Sequence, residues 1–573
     1  MRPIVERSCP GAVPPVSAAD PGKILERLYA SRGLASAKDA NTDLAGLLPI
    51  GSLENTGEAV DLLLTHRESR IVVVGDFDAD GATSAALMLR CLGAFGFAEV
   101  SYLVPNRFDF GYGLSPEIVA VAAQRQPALL ITVDNGISSI DGVRAARDAG
   151  IDVLVTDHHL PGPALPDANV IVNPNLPGSR FGSRNLAGVG VAFYVLAALG
   201  RSLAREGNAD AARVPAKYLD LVALGTVADV VPLDRNNRIL VEQGLKRIRA
   251  GRLVPGLRAL LELSGRRLDD TVSTDLGFVA GPRINASGRL EDISVGIECL
   301  LSDDPAPARE LAATLDAINR ERRDIEAEMR EQAFDYVERM NRHGLPSCVC
   351  LFDGAWHQGV VGLIAARVRE RCHRPAVAFA RERDGVLKGS ARSVPGVHAR
   401  DLLEAVDTAE PGLIEKFGGH AMAAGLSLKE ANFDRFRALL SSTLVKRYPE
   451  ADFSGAIVTD GELPDEALTL RFARTLRQGG PWGCGFPEPV WHGFFDIVEQ
   501  RTVGERHLKL KVQSRDGRAV LDAIAFNQAG PVWRGPVQLA YRLDVNEYRG
   551  NSSAQLVVEQ ISADGANAVD SSE

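Results

Sequence analysis

Short, largely apolar segments alternate with helical patterns between residues 71 and 172, and this alternation constrains the fold more than any other feature. The segments cover residues 71–74, 100–104, 129–133, 153–155 and 170–172. Strands that are apolar on both faces are typical of a parallel sheet covered by helices on both sides. The sequence therefore predicts an α/β domain, in which ligands bind at the carboxyl ends of the strands.

Acidic and histidine side chains stand directly after three of these strands. They are Asp76, Asp78 and Asp80 after the first strand, Asp134 after the third, and Asp157, His158 and His159 after the fourth. Carboxylates this close together repel one another, and a divalent cation removes that repulsion. Oxygen ligands with one imidazole suit Mg²⁺ or Mn²⁺, and His158 favours Mn²⁺. Two such ions are expected to clamp a phosphate and to activate water for in-line attack.

Each of these motifs has a simpler interpretation when it is taken alone. Residues 76–81 could form a calcium-type loop or an acidic turn, but the glutamate that an EF-hand needs at its twelfth position is missing. Asp134 could be a turn residue, and His158 with His159 could be a surface pair. Their convergence on one sheet edge favours a metal site.

The remainder of the chain divides into further segments with different patterns. A helix over 216–228 leads to Asp229, and a long helix is predicted over 305–342, with Asp304 as its N-cap and Pro305 at its first position. Residues 346–445 read as a second α/β unit. Strict alternation over 507–512, and in parts of 537–545 and 555–561, predicts a small antiparallel barrel.

Composition and charge exclude several classes of protein. Acidic residues outnumber basic ones 74 to 64, which excludes a uniformly basic nucleic-acid coat. No apolar run reaches the length of a membrane span, and the N-terminus lacks the apolar core of a signal peptide. The seven cysteines form no CxxC pair, so we expect a reduced, cytoplasmic protein without a disulfide framework.

Positive charge is concentrated in the second α/β unit. Residues 366–400 carry nine basic and three acidic side chains. Much of this run, residues 367–371 above all, is expected to be a solvated helix face. In residues 389–393, however, small residues would let backbone amides approach a phosphate, and Arg392 offers a bidentate fork.

These motifs together resemble those of the DHH phosphoesterase superfamily. Asp157, His158 and His159 match the signature after which that superfamily is named, and residues 75–81, 133–136 and 228–229 resemble its other metal motifs. Residues 281–290, 356–362, 389–393 and 417–425 resemble, in order, further signatures of a single-strand exonuclease family within it. The resemblance covers nearly the whole chain.

The resemblance implies a role for each matching residue of the first domain. Two Mn²⁺ or Mg²⁺ ions are implied, with ligands at Asp78, Asp80, Asp134, His158 and Asp229. Asp76 would either bind an ion directly or contact one of these ligands. His159 would face the scissile phosphate and act in catalysis with Asp134 and His158. Phe77 stands where many relatives carry tyrosine, so it could stack on a base without offering a hydroxyl; the alternative is a plain core phenylalanine.

It also implies the path of a nucleic-acid substrate. Arg107, Ser390 and Arg392 would grip a terminal 5′ phosphate, although Arg107 could be a plain surface arginine. The barrel is expected to be an OB-fold that binds single strands, with Lys509 and Lys511 as contributors. Other nucleic-acid-binding residues are implied at Arg283, Asn285, Arg289, His357, Gly418, Gly419 and His420, unless the glycines only allow tight packing.

The expected domains are therefore an N-terminal region (1–60), a DHH catalytic domain (61–300), a connecting helix (301–345), a DHH-associated domain (346–450), an OB-fold domain (451–563) and a tail (564–573). The expected function is 5′→3′ digestion of single-stranded DNA to mononucleotides in repair and recombination. A helicase and a single-strand-binding protein are the expected partners, no membrane is involved, and a monomer is expected.

The residues alone predict only a two-metal phosphoesterase with a phosphate-gripping second domain and a barrel. The polymer, the polarity and the choice of DNA come from the resemblance, and RNA stays open because no feature reads the 2′-hydroxyl. One alternative is an enzyme for small substrates such as oligoribonucleotides, cyclic dinucleotides or pyrophosphate, against which the barrel argues. The other is a non-catalytic replication scaffold, against which the full set of metal ligands argues.

Overall fold

A computed structural model describes residues 2–9, 20–36, 38–104, 113–342, 344–382, 385–548 and 550–563 of the chain. The chain forms two compact units. The first comprises Met1–Asn285, Ile293–Ala313 and Ala456–Glu573, and the second comprises Ala286–Asp292 and Thr314–Gly455. Arg107 lies outside the described residues.

Strands and helices are numbered here in chain order. The strands are β1 (Ile4–Glu6), β2 (Arg70–Gly75), β3 (Glu99–Leu103), β4 (Leu129–Val133), β5 (Asp152–Thr156), β6 (Val170–Val172), β7 (Val349–Phe352), β8 (Ala376–Arg381), β9 (Val386–Arg392), β10 (Lys416–Gly419), β11 (Ala423–Lys429), β12 (Ile457–Thr459), β13 (Trp491–Val503), β14 (His507–Ser514), β15 (Val520–Ala525), β16 (Pro536–Tyr548) and β17 (Asn551–Ala563). Short 3₁₀ turns lie between several of the helices. The helices are α1 (Pro21–Ala30), α2 (Thr56–Thr65), α3 (Ala79–Ala94), α4 (Pro116–Ala123), α5 (Ile140–Asp148), α6 (Gly188–Arg205), α7 (Leu219–Ala228), α8 (Arg235–Arg249), α9 (Pro255–Leu263), α10 (Ser273–Asp275), α11 (Gly281–Leu290), α12 (Ser294–Leu301), α13 (Pro305–Asn341), α14 (Val361–Cys372), α15 (Ala399–Ala409), α16 (Phe433–Arg447) and α17 (Leu470–Gln478).

The first unit contains the predicted parallel sheet. Its strand order is β3-β2-β4-β5-β6, and every neighbouring pair runs parallel. The chain leaves β2 for β3 on one side and then returns to β4 on the other, so the order reverses between β2 and β4. Such a switch point is where parallel sheets bind their ligands. Gly75 pairs with Val133, and Val133 with Thr156, so three strands end level with one another.

Helix α6 is a largely buried helix of the first unit. It has the length and apolar composition of a membrane span, but 72% of it is buried inside the protein. Its first-turn glycines, Gly188 and Gly190, are both buried. This packing explains the apolar character of the segment without a membrane.

The long helix was predicted correctly. It runs as α13 from Pro305 to Asn341, and the Ala306 amide donates to Asp304 Oδ1 at 2.9 Å. Proline fits the first position because the first helical N–H groups have no intrahelical acceptor. Asp304 therefore satisfies one of those free amides, as an N-cap does.

The second unit is a mixed sheet with helices on its faces. Its strand order is β10-β11-β9-β8-β7; β7 and β8 run parallel, and the other pairs run antiparallel. Much of the predicted basic run is neutralised here. Arg367 pairs with Glu326 and Glu370, and Arg371 pairs with Glu338, which confirms an ordinary charged helix face over 367–371.

A closed five-stranded barrel forms the C-terminal part of the first unit, in the order β13-β14-β15-β17-β16. On β14, Leu508, Leu510 and Val512 are buried in the barrel core, as their alternation predicts. Trp491 is also core, and the seven cysteines of the chain are all free thiols.

The N-terminal segment packs with the barrel, which the sequence did not indicate. Strand β1 pairs in parallel with β12, and Ile24 and Leu28 of α1 belong to the barrel's hydrophobic cluster. The buried Arg32 guanidinium donates to both oxygens of Asp460, at 2.8 and 2.9 Å. Residues from the two ends of the chain thus build one substructure.

Candidate metal centre

The acidic loop, residues 76–81, joins β2 to α3 at the switch point of the sheet. Asp78 is the N-cap of α3, and its Oδ1 accepts the amides of Asp80 and Gly81 at 2.9 and 3.0 Å. Gly81 is required because a Cβ there would lie 2.5 Å from the Asp76 carbonyl oxygen. The Ala79 amide donates to Asn285 Oδ1 at 2.7 Å. Capping and close packing thus hold three carboxylates on one tight turn.

Asp134 follows β4, the strand next to β2. Its φ of 62° lies in the left-handed region, which aspartate and asparagine tolerate better than most residues. Its amide donates to the Thr156 carbonyl at 3.0 Å, one further step of the ladder between β4 and β5. The turn thus carries the carboxylate away from the strand direction at the sheet edge.

Asp157, His158 and His159 follow β5 on the next strand, and the Asp157 carboxylate organises them. It accepts the amides of Ile137, His158 and His159 at 2.9, 2.7 and 3.1 Å. His159 Nδ1 lies 2.7 Å from Asp157 Oδ1. The Asp157 carboxylate therefore holds the His159 ring in place, and its hydrogen bonds go to this ring and to three backbone amides.

Asp229, at the C-terminal end of α7, completes the cluster. His158 Nε2 lies 3.2 Å from Asp134 Oδ1 and 3.4 Å from Asp229 Oδ2. His158 thus connects a residue from a strand end to a residue from a helix end. Side chains from three separate stretches of the chain meet at this nitrogen.

Three sets of side chains offer ligand atoms that all lie within 4.8 Å of one another. They are Asp76, Asp78 and Asp134; Asp80, His158 and Asp229; and Asp134, His158 and His159. The six ligands predicted from the sequence fill the first two sets. The structure thus brings together all six, from the segments that follow β2, β4, β5 and α7 and from the start of α3.

Burial and mutual repulsion raise the pKa values of the carboxyl groups. Burial and then the charge of Asp229 raise the pKa of Asp80 to about 7. Burial and then Asp78 raise the pKa of Asp229 to about 8. The pKa of Asp134 is also raised, by burial and then by Asp80. In each case burial and the repulsion between carboxylates outweigh the positive charge nearby.

The two histidines are in opposite charge states. Burial, and then the neighbouring charge of His159, lowers the pKa of His158, so its ring is neutral and Nε2 can act as a ligand. Burial alone would lower the pKa of His159, but the charge and hydrogen bond of Asp157 outweigh it and raise the pKa to about 9. Burial would likewise raise the pKa of Asp157, yet its two histidine neighbours and its hydrogen bonds hold it at about 2. His159 is therefore a cation at neutral pH.

The cluster fits divalent cations on the chemistry of its donors. Asp134 Oδ1 and His158 Nε2 are both buried and lie 3.2 Å apart, but neither has a partner with hydrogen-bond geometry within the described part of the chain. Native proteins rarely leave buried polar atoms unsatisfied, and a bound ion often accounts for the exceptions. Five carboxylates with one neutral imidazole are a donor set for Mn²⁺ or Mg²⁺.

Ser390 and Arg392 lie on β9 in the second unit and contact each other. Arg392 Nη1 donates to Ser390 Oγ at 2.8 Å and to the Ala391 carbonyl at 2.9 Å. Burial and then the charge of Arg369 lower the pKa of Arg392 to about 10, so the cation lies in an unfavourable environment. Within the described ranges, Arg392 forms no ion pair with a carboxylate. An anion would supply the missing charge.

Packing gives Gly389 a structural role. A Cβ there would lie 2.3 Å from Phe379 Cε1, and the approach of a phosphate to the backbone of residues 389–393 stays a prediction. The small residue is thus required by packing of the sheet against Phe379. The side chains of Ser390 and Arg392 remain the phosphate-binding candidates.

The structure distributes the other predicted nucleic-acid-binding residues over several elements. Asn285 holds the acidic loop, as described above, and Arg283 is buried with Nη1 donating to the Val279 carbonyl at 2.7 Å. Arg289 donates to the Gly359 carbonyl at 3.2 Å, and His357 Nδ1 accepts the Gly359 amide at 3.1 Å. Two separate sequence signatures therefore meet at one glycine.

The glycine pair at the end of β10 lies in a hairpin with β11. Gly418 pairs with Gly425, and Gly419 pairs with Ala424. Gly419 has a φ of 141°, and a Cβ there would lie 2.5 Å from the Ala423 carbonyl oxygen. The hairpin requires glycine at 419, which favours the tight-packing interpretation for that residue, whereas a Cβ on Gly418 would meet no atom within 4 Å. The hairpin also places His420 next to β11.

Three further predicted residues take surface or partly buried positions. Phe77 is partly buried on the acidic loop, and its amide donates to Asp76 Oδ1 at 2.8 Å. Lys509 and Lys511 project outside the barrel, since they alternate with the buried Leu508, Leu510 and Val512. Lys509 Nζ lies 3.3 Å from Asp522 Oδ2.

Several asparagines that position the site were missed by the sequence analysis. Asn135 Nδ2 donates to the carbonyls of Val74 and Val133, at 3.0 and 2.9 Å, and so joins β2 to β4 beside the switch point. Asn173 and Asn175, just after β6, donate to the carbonyls of His159 and His158 at 2.9 and 2.6 Å. The available signal was their position after a strand, the same signal that identified the carboxylates.

Comparison with known proteins places this site in a family context. The chain matches the DHH family N-terminal domain over residues 70–226, the DHHA1 domain over 345–446 and the RecJ OB domain over 459–560. Fold and site together therefore define a DHH-type phosphoesterase with an appended OB domain.

Relatives across nearly the full chain narrow this class. The chain is 51% identical over 574 residues to the single-stranded-DNA-specific exonuclease RecJ of Dickeya dadantii, covering 98% of each sequence. It is 50% identical to that of Escherichia coli, covering 94% of this chain and 95% of the relative. The chain belongs to the RecJ family.

Solved structures agree with this membership. The crystal structure of RecJ from Thermus thermophilus in complex with Mn²⁺ has a TM-score of 0.78 at 31% identity, covering 95% of this chain and 76% of that one. Its complex with Mg²⁺ has a TM-score of 0.72 at 30% identity, covering 95% and 75%. The domain architecture described above is thus shared with crystallised members of the family.

Proposed function

We propose that this chain is a metal-dependent exonuclease specific for single-stranded DNA, which digests from the 5′ end and releases 5′-mononucleotides. The observation that carries the proposal is the cluster at the sheet's switch point, where Asp134 Oδ1 and His158 Nε2 are buried 3.2 Å apart and neither has a partner with hydrogen-bond geometry among the described residues. Family membership at 51% identity over nearly the full chain supports the choice of substrate.

The proposed metal ligands are Asp76, Asp78, Asp80, Asp134, His158 and Asp229, which would hold two Mn²⁺ or Mg²⁺ ions. When bound, such ions neutralise phosphate charge and make an attacking water more acidic. The protein's part is to hold six ligand side chains at fixed positions, through the Asp78 cap, the left-handed turn at Asp134 and the end of α7.

His159 is proposed to act directly on the substrate phosphate. Its pKa of about 9 keeps the ring protonated at neutral pH. Because Nδ1–H donates a hydrogen bond to Asp157, the ring would present Nε2–H to the substrate. That proton can bind a phosphate oxygen or pass to the leaving oxygen, which is the task of a general acid.

Ser390 and Arg392 are proposed to bind the terminal 5′ phosphate together with Arg107. The support is a half-buried guanidinium without a carboxylate partner among the described residues, next to a hydroxyl at 2.8 Å. Arginine can bind two oxygens of a phosphate through two parallel N–H groups. Holding the 5′ end while the chain is cut determines the polarity.

The remaining predicted residues are proposed as contacts to the strand: Phe77, Arg283, Asn285, Arg289, His357, Gly418, Gly419, His420, Lys509 and Lys511. The barrel, which matches the RecJ OB domain, would bind the strand beyond the metal centre. We further propose that the protein is a cytoplasmic monomer that acts in DNA repair and recombination. Its proposed partners are a helicase and a single-strand-binding protein, and its proposed domains have the boundaries predicted from the sequence.

The test is a product-resolved digestion with Mn²⁺. Internally labelled single-stranded DNA is offered with its 5′ end or its 3′ end blocked, beside a matched duplex. The proposal expects mononucleotides from the 3′-blocked strand and little from the 5′-blocked strand or the duplex. Asp134→Asn is the matched inactive control, since asparagine tolerates the left-handed backbone at this position.

The outcomes separate the alternatives. Mononucleotides from the 5′-blocked strand alone would reverse the polarity. Turnover of dinucleotides or pyrophosphate without digestion of the polymer would favour the small-substrate enzyme. Tight strand binding by a Mn²⁺-loaded protein that hydrolyses nothing would favour the scaffold.

A further inference from the structure

Helix α6 contributes no ligand to the cluster, yet its first residue touches two of the proposed ligands. The Gly188 amide donates to Asp80 Oδ2 at 2.6 Å, and the next amide, of Val189, donates to Asp80 Oδ1 at 3.0 Å. Both oxygens of one carboxylate are therefore bound by the first two amides of an 18-residue helix. Those amides have no acceptor within their own helix and carry the positive end of its dipole.

The other side of Gly188 faces Asp134. A Cβ on Gly188 would lie 2.6 Å from Asp134 Cβ, 2.7 Å from its Oδ1 and 2.9 Å from its Cα. Real Cβ atoms essentially never make contacts this short. Two of the three atoms, the Cα and Cβ of Asp134, cannot move away unless the backbone moves. Asp134 could not keep its present position beside any residue other than glycine.

One residue thus constrains two ligands from different elements. Asp80 comes from the first turn of α3, and Asp134 comes from the turn after β4. The amide of Gly188 fixes one, and its missing side chain leaves room for the other. The constraint acts on the Asp134 oxygen that lies 3.2 Å from His158 Nε2.

We propose that Gly188 is a positioning residue of the metal centre, which sets the distance between Asp80 and Asp134 and so determines how tightly the site binds divalent cations. The inference rests on the proposed metal site. Residues that orient metal ligands typically change metal affinity by about 10–100-fold when they are altered.

Gly190 offers a matched control in the same helical turn. A Cβ on Gly190 would lie 3.0 Å from Leu186 Cδ2, the far end of a flexible side chain, and would touch no proposed ligand. Gly188→Ala and Gly190→Ala therefore make the same chemical change in one helix. Only the first disturbs Asp134.

The experiment is Mn²⁺ binding to the metal-free full-length protein, measured by titration calorimetry and by electron paramagnetic resonance of the bound ion. We expect Gly188→Ala to weaken Mn²⁺ binding by about 10-fold or more and to change the spectrum, while Gly190→Ala stays close to the unmodified protein. Circular dichroism checks that each variant folds.

A second variant covers the case in which Gly188→Ala does not fold. Val189→Pro removes the amide that donates to Asp80 Oδ1 and places a ring carbon against that oxygen, so it displaces Asp80, while proline is tolerated in the first turn of a helix. We expect a loss of Mn²⁺ affinity of about 10-fold or more. Unchanged affinity in a folded Gly188→Ala or Val189→Pro protein would overturn the inference, as would equal losses in Gly188→Ala and Gly190→Ala.

The same data distinguish this inference from the proposed function. If the unmodified protein binds no Mn²⁺, the metal site itself is wrong. If it binds Mn²⁺ and the Gly188 variant binds equally well, only the positioning role is wrong. Neither result depends on the identity of the nucleic-acid substrate.

Discussion

Replacing Asp229 by asparagine should stabilise the metal-free protein, because the charge of Asp229 opposes folding. Its pKa rises from 3.8 in the unfolded chain to about 8 in the folded protein, through burial and the charge of Asp78. Among the described residues, the polar contact of this carboxylate is His158 Nε2 at 3.4 Å, so little direct bonding would be lost. Asparagine keeps the shape and removes the charge.

The size of the effect follows from the two pKa values. Each unit by which the folded pKa exceeds the unfolded one corresponds to about 1.4 kcal/mol, so the upper bound is about 6 kcal/mol. The Asp229 side chain is 23% exposed, and the effective dielectric constant near such a site lowers this bound. We expect Asp229→Asn to raise the free energy of unfolding of the metal-free protein by about 1–3 kcal/mol at a pH of about 8.5.

The sign of the pH dependence is fixed by the direction of the pKa change. A carboxyl group whose pKa is raised on folding destabilises the folded state increasingly as pH rises from about 4 to about 8. The advantage of Asp229→Asn should therefore be larger near pH 8.5 than near pH 5. Adding Mn²⁺ should reverse the order, since the unmodified protein gains binding energy that the variant partly loses.

The assay is urea unfolding followed by circular dichroism, in a chelator and then in Mn²⁺, at both pH values. Asp210→Asn is the control, because Asp210 is 88% exposed and the Arg213 guanidinium beside it is 3.9 Å away. A variant less stable than the unmodified protein in chelator at the higher pH, or a gap that does not change between the two pH values, would refute the electrostatic account of the cluster.

The remaining predictions concern catalysis, end recognition and stability. Asp157→Asn should lower the pKa of His159, so the alkaline limb of the pH–rate profile should move to lower pH. The rate should fall by about 10²-fold or more, while Mn²⁺ affinity is preserved. An unshifted profile would contradict the role of Asp157. Arg392→Lys should abolish the preference for a 5′-phosphorylated over a 5′-hydroxyl strand in competition digests, and a retained preference would remove Arg392 from the pocket. Asp220 is buried, and burial raises its pKa to about 6. Its ionisation should lower the free energy of unfolding by up to about 3 kcal/mol as pH rises from about 4 to about 6. Urea unfolding of Asp220→Asn should therefore depend less on pH than that of the unmodified protein, and an identical slope would count against this role. Asn135→Ala should reduce activity with a smaller loss of stability than core truncations cause, because it releases the link between β2 and β4; unchanged activity would make Asn135 dispensable.

The sequence predicts the metal centre well because the relevant signal is local. Each ligand follows a strand or caps a helix, and the carboxyl ends of parallel strands necessarily meet at one edge. Asp76 and Asp134 could therefore be placed together without knowing any contact between them. Asp229 is different, since it lies at a helix end, and its role came from the resemblance to the superfamily.

The residues around the ligands could not be predicted in this way. Gly188 meets Asp134 from another element, and Asn285 meets Ala79 across 206 positions of sequence. Nothing in the local pattern of a glycine or an asparagine shows which carboxylate it faces. Gly389 shows the same limit, because its motif does not reveal that the ring of Phe379 fills the space where a side chain would stand.

The N-terminal segment illustrates a second limit. Residues 4–6 form a strand only because β12, near the other end of the chain, supplies its partner. Three residues with no periodic pattern carry no signal of their own. In the barrel, by contrast, the alternation within β14 was enough to predict the buried face.

The central claim is that six side chains at the sheet's switch point bind divalent cations. Anomalous diffraction near the manganese edge, from metal-free crystals of the full chain soaked in Mn²⁺, tests it most directly. We expect anomalous density enclosed by Asp76, Asp78, Asp80, Asp134, His158 and Asp229, and none there in Asp134→Asn crystals. Manganese bound only at surface carboxylates, with no density in the cluster, would contradict it.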